Sequence, residues 1–263
     1  PPSSEDGDTH TYSPSLEPLT IHNGTEQSAP AHYPAGADLV VNSANGSVTV
    51  EVGSGDQVTA VFSPSTAGAD TAAAEAEAIR EMEQDISFTV EADGNQIKVE
   101  TNKVGGSNSH LGGSIVVRIP SSFAGSVRVD MGNSAAGVDL DLGSTANTGV
   151  NVLEGGEVNV SGARGEININ AGFDVNLSVA EWATAGSSNV TTSFGLGTIA
   201  ISVPANAEGS LQASTEDGDG VVTIASNDGW TTEEASPASK TVTFGTGQGM
   251  NMVVSGGDTI NVN

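Results

Sequence analysis

The closely spaced carboxylates of Glu216-Asp217-Gly218-Asp219-Gly220 are the residues best suited to chemistry in this sequence. Acidic side chains spaced around glycine are typical of calcium loops, in which hard oxygen ligands surround one ion. The segment lacks the remaining ligand positions of such a loop, including its bidentate terminal Glu. Two interpretations stay open: a Ca²⁺ site formed by Glu216, Asp217 and Asp219, or a solvated turn between strands.

Catalytic motifs are missing from the sequence. It contains no Gly-x-Ser-x-Gly elbow, no phosphate-binding loop and no His-Glu-x-x-His pair. Acidic residues number 33, so the spacing of any two carboxylates is not diagnostic of acid–base catalysis. We predict no catalytic residues, no cofactor other than the Ca²⁺ considered above, and a protein that is not an enzyme. A polysaccharide-active β-helix enzyme is the third-ranked alternative.

A short repeat is the clearest periodic feature. Asn151, Asn159, Asn168 and Asn176 each stand between two aliphatic residues, and glycines fill the gaps. Apolar side chains at alternate positions predict short strands with the Asn on the opposite face. Asn168 follows Asn151 by 17 residues, and Asn176 follows Asn159 by 17. We therefore expect stacked units in which like Asn residues lie above one another and hydrogen-bond along the stack.

The strands that carry these residues predict an all-β fold. Stacked units favour a single-chain β-solenoid (β-helix), and a β-sandwich of antiparallel hairpins is the alternative. Asn45-Gly46 and the turn at 53–56 have the composition of hairpin turns. An Ala-rich stretch predicts one short helix over about 70–84, with Asp70 or Thr71 as N-cap. Its predicted apolar face consists of Ala72, Ala76, Ile79 and Met82.

Two further features of organisation frame this domain. Residues 1–37 are polar and Pro-rich, which predicts an extended N-terminal arm before a domain at 38–263. Within the arm, Leu16, Leu19 and Ile21 form an apolar island that could pair with its own chain or with a neighbouring copy. A strand ending at Pro120 and another ending at Pro204 are each followed by a Gly-led strand, an echo that suggests internal duplication.

Composition limits the partners and the location. The formal net charge is −26, which opposes binding to nucleic acid or to anionic membranes. No apolar run is long enough for membrane insertion. The absence of Cys excludes disulfides and thiol chemistry. A chain starting Pro1-Pro2 looks processed, so we expect an extracellular or cell-surface protein, secreted after removal of a signal peptide.

The order of elements resembles a bacterial family known as "putative adhesin", a domain of unknown function. The resemblance rests on alternating strands, an Ala/Glu helix, Ile-x-Val-Pro strands and Gly-punctuated repeats that end in Gly-Asp-x-Ile-x-Val. The matching stretches are 70–99, 114–120, 197–220 and 256–262. The resemblance implies a β-helix-like fold and a surface location, and it supplies no catalytic residues. The Asn repeat and the Pro-rich arm depart from the family pattern.

The leading hypothesis is a non-enzymatic, extracellular structural or adhesin-like protein, whose copies could assemble head to tail into a filament. In that case a strand from the island at Leu16, Leu19 and Ile21 would add to the next copy's sheet. The alternative is a glycan- or cell-surface-binding module, calcium-dependent if the acidic loop holds an ion. Trp182 and Trp230 could stack on sugar rings or simply pack in the core.

Overall fold

A computed structural model describes residues 19–105, 107–132, 135–143, 145–194, 197–216 and 219–263. It confirms the all-β class with one short helix, α1 (Ala72–Gln84). Nine strands occupy the first half of the described chain: β1 (Thr20–Asn23), β2 (Gln27–His32), β3 (Asp38–Ser43), β4 (Val48–Gly53), β5 (Gln57–Gly68), β6 (Ile86–Asp93), β7 (Gln96–Lys103), β8 (Gly112–Pro120) and β9 (Ser126–Met131).

The second half of the described chain contains no helix. Its strands are β10 (Val138–Asp141), β11 (Gly149–Gly155), β12 (Val158–Ala171), β13 (Val175–Trp182), β14 (Ser187–Thr192), β15 (Thr198–Ser202), β16 (Gly209–Ser214), β17 (Val221–Ile224), β18 (Trp230–Ser236), β19 (Ser239–Phe244), β20 (Met250–Ser255) and β21 (Thr259–Val262). Their short length and glycine-rich connections match the composition.

The strands form two hydrogen-bonded ladders. Ladder A has the spatial order β5, β8, β4, β10, β12, β13, β15, β21, β17, and both β1 and β2 pair with the outer edge of β5. Ladder B has the order β6, β7, β3, β9, β11, β12, β14, β20, β16, β19, β18. The long β12 belongs to both, because its first half pairs in A and its second half in B.

Alternate residues of both ladders point into one hydrophobic core. Val158 and Val160 of ladder A are buried, as are Ile167 and Ile169 of ladder B, while the residues between them are not. Each buried branched aliphatic side chain contributes roughly 1.5–3 kcal/mol through removal of apolar area from water. The period-2 pattern seen in the sequence is therefore the pattern of core contacts.

From β9 to β15 the chain advances one place in the stack at each step, and every pairing between these successive coils is parallel. This succession fails at both ends. The pair β3–β4 lies between β7–β8 and β9–β10, and the C-terminal pair β20–β21 lies between β14–β15 and β16–β17. Each inserted coil is held by neighbours on both sides in both ladders.

The two Pro-ended strands mark the places where the chain passes over an inserted coil. After Pro120 the chain crosses from β8 to β9, two places along, and after Pro204 it crosses in the same way from β15 to β16. A glycine begins each new strand because the inserted strand lies too close for a side chain. A Cβ at Gly125 would lie 2.0 Å from the carbonyl oxygen of Ala37, and one at Gly209 would lie 2.2 Å from that of Met250.

The hairpins expected from two turns do not form, and this expectation was wrong. Asn45-Gly46 joins β3 in ladder B to β4 in ladder A, and β8 lies between β4 and β5, which the 53–56 turn connects. Turn composition specifies a local change of direction, whereas tertiary packing decides which strands pair. A true antiparallel hairpin forms at Asp93-Gly94, between β6 and β7.

The helix begins as predicted but presents a different face. Thr71 is the N-cap, and its side-chain oxygen accepts a hydrogen bond from the amide of Ala74. Ala78 and Met82 are the buried residues, whereas Ile79 is 45% exposed. The predicted face of Ala72, Ala76, Ile79 and Met82 is therefore wrong except at Met82. The helix lies against β1, β5 and β6, and their position selects the buried side.

The described part of the N-terminal arm pairs within its own chain. Both β1 and β2 run antiparallel to β5, with Ile21 opposite Ala67. The ring of the buried Tyr33 lies 5.4 Å from that of Phe123, and the Tyr33 hydroxyl accepts hydrogen bonds from the amides of Gly36 and Ala124. These contacts tie residues 20–37 to the body. The division into an arm at 1–37 and a domain at 38–263 stays a prediction.

Candidate functional site

The outward-facing residues of ladder A form a continuous row. Parallel pairing without slippage places one residue from each strand next to its counterpart on the neighbouring strand. This outer row consists, in spatial order, of Thr49, Asp139, Asn159, Asn176, Ala200, Asn261 and Thr223. Two of the four predicted repeat residues, Asn159 and Asn176, lie at its centre.

The centre of the outer row is a chain of side-chain hydrogen bonds. Nδ2 of Asn176 donates to Oδ1 of Asn159 at 2.8 Å, and Nδ2 of Asn159 donates to Oδ1 of Asp139 at 2.9 Å. One position along each strand pair, Oγ of Ser161 donates to Oδ1 of Asp141 at 2.8 Å. Each side chain is thus oriented by its neighbour, which fixes the positions of the remaining donors and acceptors before any ligand arrives.

These residues line a shallow groove of about 450 Å³ on the outer face of ladder A, which we call the ladder A groove. Its floor spans β10, β12, β13 and β15, and small side chains at Ser178, Ala200 and Ser202 keep one side low. The volume lies within the range of small-ligand sites. Carboxylate, amide and hydroxyl groups converge there, and such groups bind hydroxyls and amides of a ligand by hydrogen bonding.

The other two repeat residues lie in ladder B, on the opposite side of the molecule's core. Asn151 pairs in register with Asn168, which pairs with Asn189. Nδ2 of Asn168 donates to Glu166 of its own strand at 3.0 Å, and Oδ1 of Asn151 is buried without a hydrogen-bond partner among the described residues. The structure therefore brings the four Asn residues together as two separate pairs.

The acidic loop is described only in part. Asp217 lies outside the described residues, and both Glu216 and Asp219 are exposed. No group of three or more His, Asp or Glu side chains able to hold a metal ion occurs among the described residues. The Ca²⁺ site at Glu216, Asp217 and Asp219 stays a prediction.

The apolar island of the arm is also described only in part. Leu16 lies outside the described residues, while Leu19 is 57% exposed and Ile21 on β1 is 68% exposed. Both described side chains face solvent at the outer edge of ladder A, beyond β5. Their role in self-assembly stays a prediction.

The two tryptophans pack against one core residue. The rings of Trp182 and Trp230 both meet the buried Phe244 edge-on, at 5.1 Å and 4.8 Å, and Nε1 of Trp182 donates to the carbonyl of Met250. The interpretation of these tryptophans as a sugar platform is therefore wrong for Trp182, which is buried. Their core partner lies far from both in the sequence, so local pattern could not identify it.

The exposed aromatic pair of this protein is Phe173 and Phe194, which the sequence analysis missed. Phe173 is 42% exposed and Phe194 is 54% exposed, and their ring centroids lie 5.3 Å apart. Each follows the end of a ladder B strand, and they are 21 residues apart. The same 21-residue spacing relates Asn168 to Asn189, which pair across β12 and β14. That spacing was the available signal.

Most of the basic side chains are neutralised by nearby carboxylates, which leaves the surface strongly negative. The ion pairs are Arg80–Glu77, Arg80–Asp85, Lys98–Asp93, Arg118–Glu51, Arg128–Asp130, Arg164–Glu181 and Lys240–Glu234. Hydrogen bonds from Lys98 and from the side chain and amide of Thr246 hold the pKa of Asp93 and Glu208, respectively, below the ordinary range. Along the described residues, no helix has the length and apolarity needed to cross a bilayer.

The fold and the groove define an acidic all-β protein that presents a polar, hydrogen-bonded surface on stacked strands. It shares this fold with a solved structure, a putative cell adhesion protein from Clostridium sporogenes. The two chains are 14% identical, with a TM-score of 0.50 over 90% of this chain and 99% of that one. The name of that protein agrees with the family resemblance drawn from the sequence.

A putative adhesin from Bacteroides fragilis aligns over 91% of this chain and 97% of its own, at 9% identity and a TM-score of 0.26, and no conclusion rests on it. No family model matches the chain. No curated protein matches it in sequence.

Proposed function

We propose that this chain is a non-enzymatic, adhesin-like protein of the cell exterior that binds its ligand in the ladder A groove. The observation that carries the proposal is the hydrogen-bonded chain Asp139–Asn159–Asn176 on the groove floor. Strand residues held by their neighbours form a rigid site, and rigid sites lose little conformational entropy on binding. A groove open along the ladder suits an extended polar ligand such as a surface glycan.

The stacked coils support a β-solenoid as the supporting architecture. Parallel pairing with a 17-residue repeat runs through β11, β12 and β13, the part of the chain that forms the groove floor. A solenoid presents equivalent residues at the strand spacing, so a groove can extend over several coils. In this proposal the inserted coils β3–β4 and β20–β21 close the ends of the regular stack.

The polar contacts in the groove favour binding over catalysis. Asp139 and Asp141 are exposed, and each accepts a hydrogen bond from a neighbouring Asn or Ser. An acid–base pair needs one carboxyl group to keep its proton near neutral pH, which burial or a neighbouring charge has to impose. The polysaccharide-active enzyme is therefore the weaker alternative. It would release reducing sugar from a polymer that the protein also binds.

Self-assembly into a filament is the second structural candidate. Leu19 and Ile21 place two exposed apolar side chains at the outer edge of ladder A, where an edge strand can recruit another chain. Replacing both by Ser leaves the pairing of β1 with β5 possible, because backbone groups make those bonds. We expect the double Ser variant to be folded and monomeric if the arm joins copies. Assembly equal to that of the native chain would contradict the filament proposal.

Filling the groove tests the binding proposal. Ala200→Trp places a bulky side chain at its low side, and Thr223→Trp places the same side chain on the same outer row but outside the groove. We expect Ala200→Trp to lower binding to cells or to a glycan array at least tenfold and Thr223→Trp to leave it unchanged. Equal binding by both variants would contradict a ligand site in the groove. Addition of EDTA tests calcium dependence in the same assay.

A further inference from the structure

We propose that Phe173, Phe194 and the hydroxyl-lined pocket beside them form a second binding site, which takes a neutral saccharide. The aromatic pair, here called the Phe ledge, lies at the corner where the chain passes from ladder B to ladder A. Phe173 follows β12, and Phe194 follows β14 in the next coil. The site is distinct from the ladder A groove, so it stands or falls independently of that groove's function.

The Phe ledge is left uncovered by its neighbours in the stack. On one side, the amide of Phe173 donates to the carbonyl of Gly156, in a corner made of Gly155 and Gly156. On the other side, Gly197 accepts a hydrogen bond from Asp258, in a corner that begins with Gly256 and Gly257. Glycine has no side chain to pack on the rings. Two aromatic residues thus remain about half exposed on a strongly acidic surface.

A polar pocket of about 340 Å³ adjoins the Phe ledge. Ser193, the residue before Phe194, lies in its wall, and the Ser193 hydroxyl donates to Asn170 at 2.8 Å. The side chains of the remaining wall come from three successive coils: Thr191, Thr192, Ser214, Thr215, Glu216 and Ser255. Of these, the buried Thr192 has an Oγ1 without a hydrogen-bond partner among the described residues.

The chemistry of this corner selects the class of ligand. A pyranose ring has an apolar C–H face that packs on an aromatic ring, and hydroxyls at its rim that pair with hydroxyl and carboxylate groups. The Phe ledge supplies the first contact, and the pocket, with Glu216 as its acidic member, supplies the second. The net charge of −26 opposes anionic ligands. The geometry therefore points to an uncharged sugar.

The test is a titration of the full chain with neutral oligosaccharides of glucose, mannose and N-acetylglucosamine, followed by ¹⁵N amide shifts and by calorimetry. We expect shifts centred on Gly172, Phe173 and Gly197 for at least one series. Phe194→Ala should weaken that binding about tenfold. Phe194→Leu, which keeps apolar area but has no ring face, should weaken it nearly as much, whereas Phe194→Trp should retain it.

The matched control is Ile79→Ala, which removes a comparably exposed apolar side chain from α1. Binding that survives Phe194→Ala but is lost in Ala200→Trp would place the sugar in the ladder A groove and overturn this proposal. No binding by any series would also overturn it. So would a self-association in sedimentation that Phe194→Ala abolishes, because the Phe ledge would then be a contact between copies.

Discussion

Nδ2 of Asn176 donates a hydrogen bond to Oδ1 of Asn159 at 2.8 Å, across a Cα pairing that joins residues 17 apart in the sequence. Asn159 in turn donates to Asp139 of β10. One side chain therefore links three coils. This makes Asn159 the central residue of the ladder A groove and the natural place to measure what the stack gains from its polar row.

Removing this side chain should destabilise the protein. We expect Asn159→Ala to lower the free energy of unfolding by about 1–2 kcal/mol, because hydrogen bonds to two neighbours are lost. A double-mutant cycle with Asn176→Ala should give a coupling of about 0.5–1 kcal/mol by denaturant unfolding. Asn168→Ala is the control, since its amide bonds within its own strand. A coupling near zero would show that the bond adds nothing.

The C-terminal coil should be essential to folding although it ends the chain. Deletion of residues 250–263 removes strands from the interior of both ladders, with the buried Met252, Val254 and Ile260. We expect the truncated chain to lose its cooperative thermal transition. Point variants give a milder test: Val254→Ala should cost about 2 kcal/mol, and the exposed Val253→Ala less than about 0.5. A cooperative transition after truncation would contradict the inserted position.

Two glycines separate steric crowding from backbone conformation. A Cβ at Gly125 would lie 2.0 Å from the carbonyl oxygen of Ala37, whereas Gly94 has a φ of 60° with nothing within 4 Å. We expect Gly125→Ala to cost more than about 3 kcal/mol, because β3 has to move, and Gly94→Ala only about 1. Equal losses in chemical denaturation would mean that the close approach of β9 to β3 is relaxed in solution.

Stability should depend on pH through Glu208. Hydrogen bonds from the side chain and the amide of Thr246 lower the pKa of Glu208 from its ordinary value near 4.5. Because the folded pKa is depressed, the carboxylate stabilises the fold above the unfolded pKa, and this stabilisation is lost as the pH falls through the folded pKa. Glu208→Gln should therefore lower the melting temperature at pH 7 and make no difference near pH 3.

The control for this pH effect is Thr246→Val, which removes the hydroxyl donor and keeps the amide donor. We expect its loss in melting temperature at pH 7 to be smaller than that of Glu208→Gln, and to shrink in the same direction as the pH falls. A loss that is equal at both pH values would exclude the carboxylate as its source.

The sequence identified the central coils well because their information is local. Alternating aliphatics around Asn159 and Asn176 set the strand faces, and the 17-residue spacing matches the observed register. The helix cap at Thr71 was predictable for the same reason. Its buried face was not, since Ile79 and Ala78 are both apolar and only the position of β1, β5 and β6 selects between them.

The candidate sites divide in the same way. Asn159 and Asn176 were visible from their repeat, but the repeat could not indicate that Asn151 and Asn168 lie in the other ladder. Phe173 and Phe194 were overlooked because each stands alone in its own segment. They meet only when coils of 21 residues are stacked, and the tryptophans that looked more promising pack on Phe244.

Sequence by itself determined the all-β class, the single helix, the strand faces and the acidic surface, because propensity, alternation and charge are properties of neighbouring residues. Tertiary structure alone decided that β3–β4 and β20–β21 are inserted between coils distant in the chain, with Gly125 and Gly209 beside them. Any aliphatic strand of the right length offers similar backbone bonds and apolar area. The choice among partners therefore depends on how the whole core fills, which no local pattern records.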